Sequence, residues 1–293
     1  MKYLSVAFLS LLITLTGCRW STTGQAQQDD EFVVSILPLK FLTEYITGND
    51  FPVVVLVPPG ASPETYEPTP QQIIKAEKAR AVFTTGLIDF ENALTASIKG
   101  NTGDKFYTLY NGIELISGSC GHVHNHEGIA HKHASGIDPH IWTSPKELKV
   151  MSGNLYKAIA LLYPDSTKYI TNYKELVSKL DALDQDISEK IRQSEVSSFI
   201  IYHPALTYYS RHYGLEQISL EHDGKEPSAA RLKNIIARAK AEGVKSVFYQ
   251  SQFSESTVRT VAGDIGATAV EIDPMREDVI NNLREITDLI TGR

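Results

Sequence analysis

Short apolar runs alternate with helical patterns along this chain, and the runs fall into two sets. Residues 32–37 (FVVSIL), 52–57 (PVVVLV), 81–84 (AVFT) and 105–109 (KFYTL) read as four strands. Residues 198–202, 215–220, 246–250 and 268–272 read as four more. Most are apolar throughout rather than alternating, which marks sheets covered by helices on both faces. Helical patterns lie between them. Thr69 opens one over 69–78, and in 228–241 Ala230, Leu232, Ile235, Ile236 and Ala239 recur near helical period before Gly243 ends the pattern. Strands alternating with helices in two sets predict an α/β fold of two lobes, each with a mostly parallel sheet.

Between the sets, residues 164–195 carry one unbroken helical pattern. Tyr169, Tyr173, Leu176, Leu180, Leu183, Ile187 and Ile191 are spaced by three or four, a single apolar stripe. Such a segment spans roughly 45 Å at ~1.5 Å per residue, longer than one small lobe. It reads as a rigid helix joining the lobes, which resists bending and favours small local rearrangement over large closure. The predicted organisation is 31–163 for the N-terminal lobe, 164–195 for the linking helix and 196–293 for the C-terminal lobe.

The start of the chain departs from this alternation. Residues 1–17 (MKYLSVAFLSLLITLTG) hold Lys2 and then an apolar stretch from Val6 to Leu15. That stretch is shorter than the ~20 residues of a spanning helix and suits a secretory signal peptide. The ending Leu-Thr-Gly-Cys resembles a bacterial lipobox, which makes Cys18 the lipidated residue and 18–30 a polar, flexible tether. The expectation is an exported protein, lipid-anchored to a membrane in the periplasm or at the cell surface. The full chain's composition, 42% hydrophobic and 22% charged, is that of a globular protein. The net charge of −7 without a basic run argues against nucleic acid. Acylation of Cys18 would leave Cys120 with no intramolecular partner, because these are the chain's two cysteines.

Five of the nine histidines crowd into one loop: His122, His124, His126, His131 and His133, within 118–136. Neutral imidazole binds zinc, copper, nickel and iron, so a tract of this kind gathers such ions weakly without a preformed cage. Four other residues share a placement at strand or loop exits, and two of them stand where ligands of open α/β sheets bind. His203 follows the strand 198–202 directly, and Asp273 follows 268–272. Glu64 lies in the Pro-rich turn after 52–57, and His140 precedes Ser144 and Pro145, which resemble an N-cap and first helical position. His212 and His222 lack such placement and read as surface or capping residues.

The segments PPGASPETYEP, DPHIW, YHPALTYYSRHYGL, KEPSAARL and EIDP, in this order, resemble the substrate-binding lipoproteins of bacterial zinc and manganese ABC transporters (the ZnuA/TroA-like, cluster A-I family). The resemblance covers essentially the whole chain after the tether. It implies two α/β lobes joined by a rigid helix, with one divalent metal held between them. It also implies His140, His203 and Asp273 as ligands. Family zinc binders carry His in the pattern PPGASPHxYEP where Glu64 stands here. Two imidazoles and two carboxylates suit manganese or iron(II) as well as zinc. Family manganese binders, however, place their Glu where His203 stands, and the His-rich loop is typical of zinc members, so zinc is the expected cargo. The expected partners are an ABC permease and a separate ATPase, since no phosphate-binding loop motif occurs in the chain. A monomer is expected. The rival readings are a zinc hydrolase, for which His-Glu-x-x-His is lacking, and an adhesion lipoprotein.

Overall fold

A computed structural model describes residues 30–98, 105–117, 136–221 and 225–293. The signal peptide, Cys18, almost all of the tether, Cys120, His222 and the five loop histidines lie outside the described residues. Within these bounds the chain forms two four-stranded sheets, every strand pairing parallel.

The first sheet has the order β2-β1-β3-β4, built from β1 (Phe32–Val34), β2 (Val53–Val55), β3 (Ala81–Thr84) and β4 (Phe106–Thr108). Between them run α1 (Leu37–Thr47), α2 (Pro70–Lys78) and α3 (Asp89–Ile98). The run 32–37 is therefore strand only to Val34. Pro38 stands in the first turn of α1 and the chain turns helical there, although Ile36 at the N-cap offers no side-chain bond. Thr69 caps α2 through a capping box with Gln72. Beyond β4, a short 3-10 turn (Ile141–Thr143) leads into α4 (Pro145–Leu162). Ser144 is the N-cap residue, but its hydroxyl is buried and makes no capping bond.

The helix joining the lobes is α5 (Thr167–Ser194), 28 residues long. It begins three residues later than Pro164, because α4 ends at Leu162 and a short turn separates the two helices. Tyr169, Leu176, Leu180, Leu183, Ile187 and Ile191 form its buried stripe. The second sheet, order β6-β5-β7-β8, comprises β5 (Ser198–Ile201), β6 (Glu216–Ser219), β7 (Ser246–Tyr249) and β8 (Thr268–Glu271). Its helices are α6 (Thr207–Tyr213), α7 (Ala229–Glu242), α8 (Glu255–Ile265) and α9 (Val279–Thr291). None of the described helices is long and apolar enough to cross a membrane.

Successive residues of β5 enter different cores, as the two-residue period of a strand requires. Ile200 and Tyr202 pack with Ile235 of α7 and Val258 of α8. Phe199 and Ile201 pack on the opposite face, in a larger cluster that also holds Val279, Leu283 and Ile286 of α9. That cluster continues through the α5 stripe into the first sheet, including Phe32, Val82 and Phe83. The lobes thus share one apolar body, and the other face of the second sheet has a smaller core of its own. Polar ties cross the junction too. Trp142 Nε1 donates to the Pro274 carbonyl at 3.0 Å. Tyr208 Oη donates to the Asp138 carbonyl at 2.8 Å, and Arg211 donates to the buried Glu147 carboxylate at 2.9 Å.

Candidate metal centre

Both sheets point their carboxyl ends toward one cleft. In the second sheet the chain order reverses between β5 and β7, which places a binding crevice at the ends of those strands. His203 leaves β5 there. It meets His140, carried by the segment before the 3-10 turn, and Glu64, carried by the long turn after β2. One ligand atom from each of these three lies within 4.8 Å of the others, the one such group among the described residues.

The distances are those of a shared centre. His203 Nε2 lies 3.1 Å from Glu64 Oε1, His140 Nε2 lies 3.6 Å from the same oxygen, and the two Nε2 atoms are 3.4 Å apart. His140 is 3% and His203 4% exposed, so water competes little for these atoms. Pro63, Trp142, Ala205, Phe253, Pro274 and Met275 form an apolar collar around them, enclosing a cavity of about 30 Å³. The Phe253 ring stacks on the His203 imidazole at 4.8 Å.

Each imidazole is oriented from behind by a buried carboxylate. Asp138 Oδ1 accepts from both His140 Nδ1 and the His140 backbone N–H, each at 2.9 Å. Glu221 Oε2 accepts from His203 Nδ1 at 3.1 Å. Protonated at Nδ1, both rings turn their Nε2 atoms inward, the arrangement that serves metal-binding histidines. Burial opposes ionisation of Asp138, yet His140 outweighs it and holds the carboxyl below its usual value. Sequence reasoning did not single out Asp138 or Glu221. Asp138 had a local signal, two residues from His140, whereas Glu221 reaches His203 only because β5 and β6 are neighbours.

Asp273 does not join this group. The resemblance puts it among the ligands, and its backbone does leave β8 at the expected place. Its side chain, however, is exposed and bends back so that Oδ1 accepts from the Met275 backbone N–H at 2.8 Å. Asn282 Nδ2 anchors its carbonyl at 2.8 Å. Pro274 and Met275, not Asp273, line the cavity. His212 lies elsewhere, its Nε2 2.7 Å from Asp184 Oδ1 of α5.

The metal-free site holds a proton. Burial alone would lower the His203 pKa, but its hydrogen bonds to Glu221 and Glu64, with their charges, push it up to about 10. A pKa raised above the unfolded value of about 6.5 gives stability that is complete below that pH and lost as pH rises toward 10. The urea midpoint of the metal-free protein is therefore expected to fall between pH 6.5 and 10 through this group. Binding a divalent ion near pH 7 should release a proton, seen as calorimetric heats that differ between buffers of different ionisation enthalpy. Equal uncorrected heats in all the buffers would refute it.

Residues 32–291 match the family model described as zinc-uptake complex component A, periplasmic (ZnuA). The chain is 28% identical over 289 residues to the high-affinity zinc uptake system protein ZnuA of Bacillus subtilis (strain 168), covering 96% of this chain and 88% of that one. It is 27% identical over 258 residues to the zinc-binding protein AdcA of Streptococcus pyogenes serotype M3 (strain ATCC BAA-595 / MGAS315), covering 83% and 50%. The chain thus spans about half the length of the AdcA relatives it matches. Among solved structures, a crystal structure of ZnuA superposes with a TM-score of 0.81 at 32% identity, covering 90% of this chain and 98% of that one. A zinc-bound deletion mutant of ZnuA gives 0.78 at the same identity. With a matching model over nearly the whole described fold, this chain belongs to the family of periplasmic zinc-uptake complex component A.

Proposed function

We propose that this protein captures one zinc ion outside the cytoplasm and delivers it to an ABC permease, a role of transport rather than catalysis. The observation that carries the reading is the convergence of Glu64, His140 and His203 from three distant segments. A tetrahedral ion with bonds of 2.0–2.1 Å separates its ligand atoms by about 3.3–3.4 Å. An octahedral ion with bonds of about 2.2 Å brings adjacent ligand atoms nearer, to about 3.1 Å. The 3.1, 3.4 and 3.6 Å separations span both values and put the three atoms within reach of one divalent ion. The names of the Bacillus and Streptococcus relatives, both of zinc proteins, support the same cargo.

The Glu64 carboxylate favours a second reading in one respect, since it is harder than the imidazole of family zinc binders and suits manganese or iron(II). Metal analysis of the purified protein followed by competition titration with zinc and manganese decides between them. Zinc is expected to win, and Glu64→His is expected to raise the preference for zinc over manganese by about tenfold or more. An unchanged preference would remove Glu64 from the ligand set.

The rest of the proposal concerns delivery. The loop holding His122, His124, His126, His131 and His133 gathers further ions weakly. Its ends meet at the antiparallel bridge between Ser117 and Ile137, next to His140 in the chain, so gathered ions start close to the cleft. Cys18 anchors the chain to a membrane through lipid, a proposal supported by the name of a Streptococcus pneumoniae relative, zinc-binding lipoprotein AdcA. The protein works as a monomer beside its permease and a separate ATPase.

A further inference from the structure

We propose that Gln250 holds a water molecule on the captured ion, at the coordination position that Glu64, His140 and His203 leave open. The inference rests on the reading of those three residues as the cargo site. Gln250 follows β7 directly, and β7 pairs with β5. Gln250 and His203 therefore leave the sheet on either side of the crevice where its strand order reverses. Gln250 is 3% exposed and lines the same cavity as the three ligands.

Its amide orientation follows from one contact. Gln250 Nε2 donates to the His203 carbonyl at 3.0 Å. A carbonyl oxygen only accepts, so the amide nitrogen must face it and the amide oxygen must face away. That oxygen is buried, and no donor reaches it among the described residues. Buried amide oxygens in native proteins seldom go without a donor. A water bound to a divalent ion supplies one, because the ion withdraws electrons and makes the water a strong hydrogen-bond donor.

The coordination arithmetic agrees. Three protein donors leave a tetrahedral ion one vertex short, and no fourth His, Cys, Asp or Glu joins the group among the described residues. The cavity of about 30 Å³ exceeds the ~10–15 Å³ that one water needs, leaving room for ion and water together. A neutral carboxamide holds this water without adding negative charge. One carboxylate and two neutral imidazoles then leave a divalent ion with one net positive charge and one exchangeable ligand.

The test is a crystal structure of the zinc-loaded full chain, with zinc titrations of the wild type and Gln250→Leu. A water on the fourth vertex, within about 3 Å of Gln250 Oε1, is expected. Gln250→Leu is expected to bind zinc about 10–100-fold more weakly. Its metal-free melting temperature should stay near that of the wild type, because the lost bond to His203 is offset by removal of an acceptor that had no donor. A role confined to holding the fold would lower that temperature and spare the affinity. If Asp273 or another side chain fills the fourth vertex, or if Gln250→Leu binds zinc as tightly as the wild type, the proposal fails while the three-ligand reading stands. Zinc bound away from Glu64, His140 and His203 would overturn that reading as well. Should Gln250→Leu not fold, the wild-type structure decides alone.

Discussion

Replacing His203 with alanine is expected to weaken zinc binding about a thousandfold and to destabilise the metal-free protein as well. The first effect follows from the number of ligands. Apparent zinc binding energies of about 10–16 kcal/mol, shared among four ligands, assign about 2.5–4 kcal/mol to each, and the upper value of about 4 kcal/mol is a factor of about a thousand. The second effect has a separate origin. Glu64 Oε1 and Glu221 Oε2 contact the two ring nitrogens of His203, each at 3.1 Å. With the ring gone, two buried carboxylates lose the cation between them, a kind of loss that costs about 3–5 kcal/mol. Competition titration and urea denaturation of the same variant measure both. His212→Ala is the control. Its partner Asp184 is partly solvated, so zinc affinity should not move and stability should change by less than about 1 kcal/mol.

Glu91→Ala is expected to cost about 3–5 kcal/mol of stability while leaving zinc affinity intact in the folded fraction. Glu91 is 1% exposed and gathers the donors of the bend between β3 and α3. Its Oε1 accepts from the Thr85 backbone N–H at 2.9 Å. Its Oε2 accepts from Thr85 Oγ1 and the Gly86 N–H, each at 2.7 Å, and from the N–H groups of Leu87 and Ile88 at 3.2 and 3.3 Å. Alanine would strand several buried donors at once, each costing about 1–3 kcal/mol less whatever water re-enters. The bend has little freedom to relax. Gly86 sits at φ +85°, and a Cβ there would meet the Tyr110 ring at 2.7 Å. The measurement is the urea midpoint, which should fall with the slope unchanged. A drop below 1 kcal/mol would show that the bend keeps its donors satisfied by other means.

The strands were legible because most of their runs are apolar on both faces, and all eight appear within three residues of their expected ends. The helix α1 was not read. Its start lacks a polar N-cap, and the apolar run FVVSILPL passes from strand to helix without a change of composition. The linking helix was legible from its stripe, and Pro164 marked its start to within three residues, inside the turn between α4 and α5. At the candidate site, strand and loop exits drew attention to Glu64, His140, His203 and Asp273 alike. They could not give the direction of a side chain. Asp273 leaves its strand where expected and then turns its carboxylate back on the Met275 backbone. Glu221 and Gln250 were invisible for a related reason: each acts on His203 across a strand pairing, and adjacency in a sheet leaves no mark in linear spacing.

The apolar body that runs from the first sheet through α5 into α9 sets how the cargo can leave. Spreading the lobes like a hinged shell would pull Val279, Leu283 and Ile286 out of a cluster they share with the first sheet and into water. Peeling back the short segment around Pro274 and Met275, at the lip of the cavity, breaks far less. Under the proposed role, unloading would then be a local event at the rim, and the body would meet a permease with nearly the same outline whether full or empty.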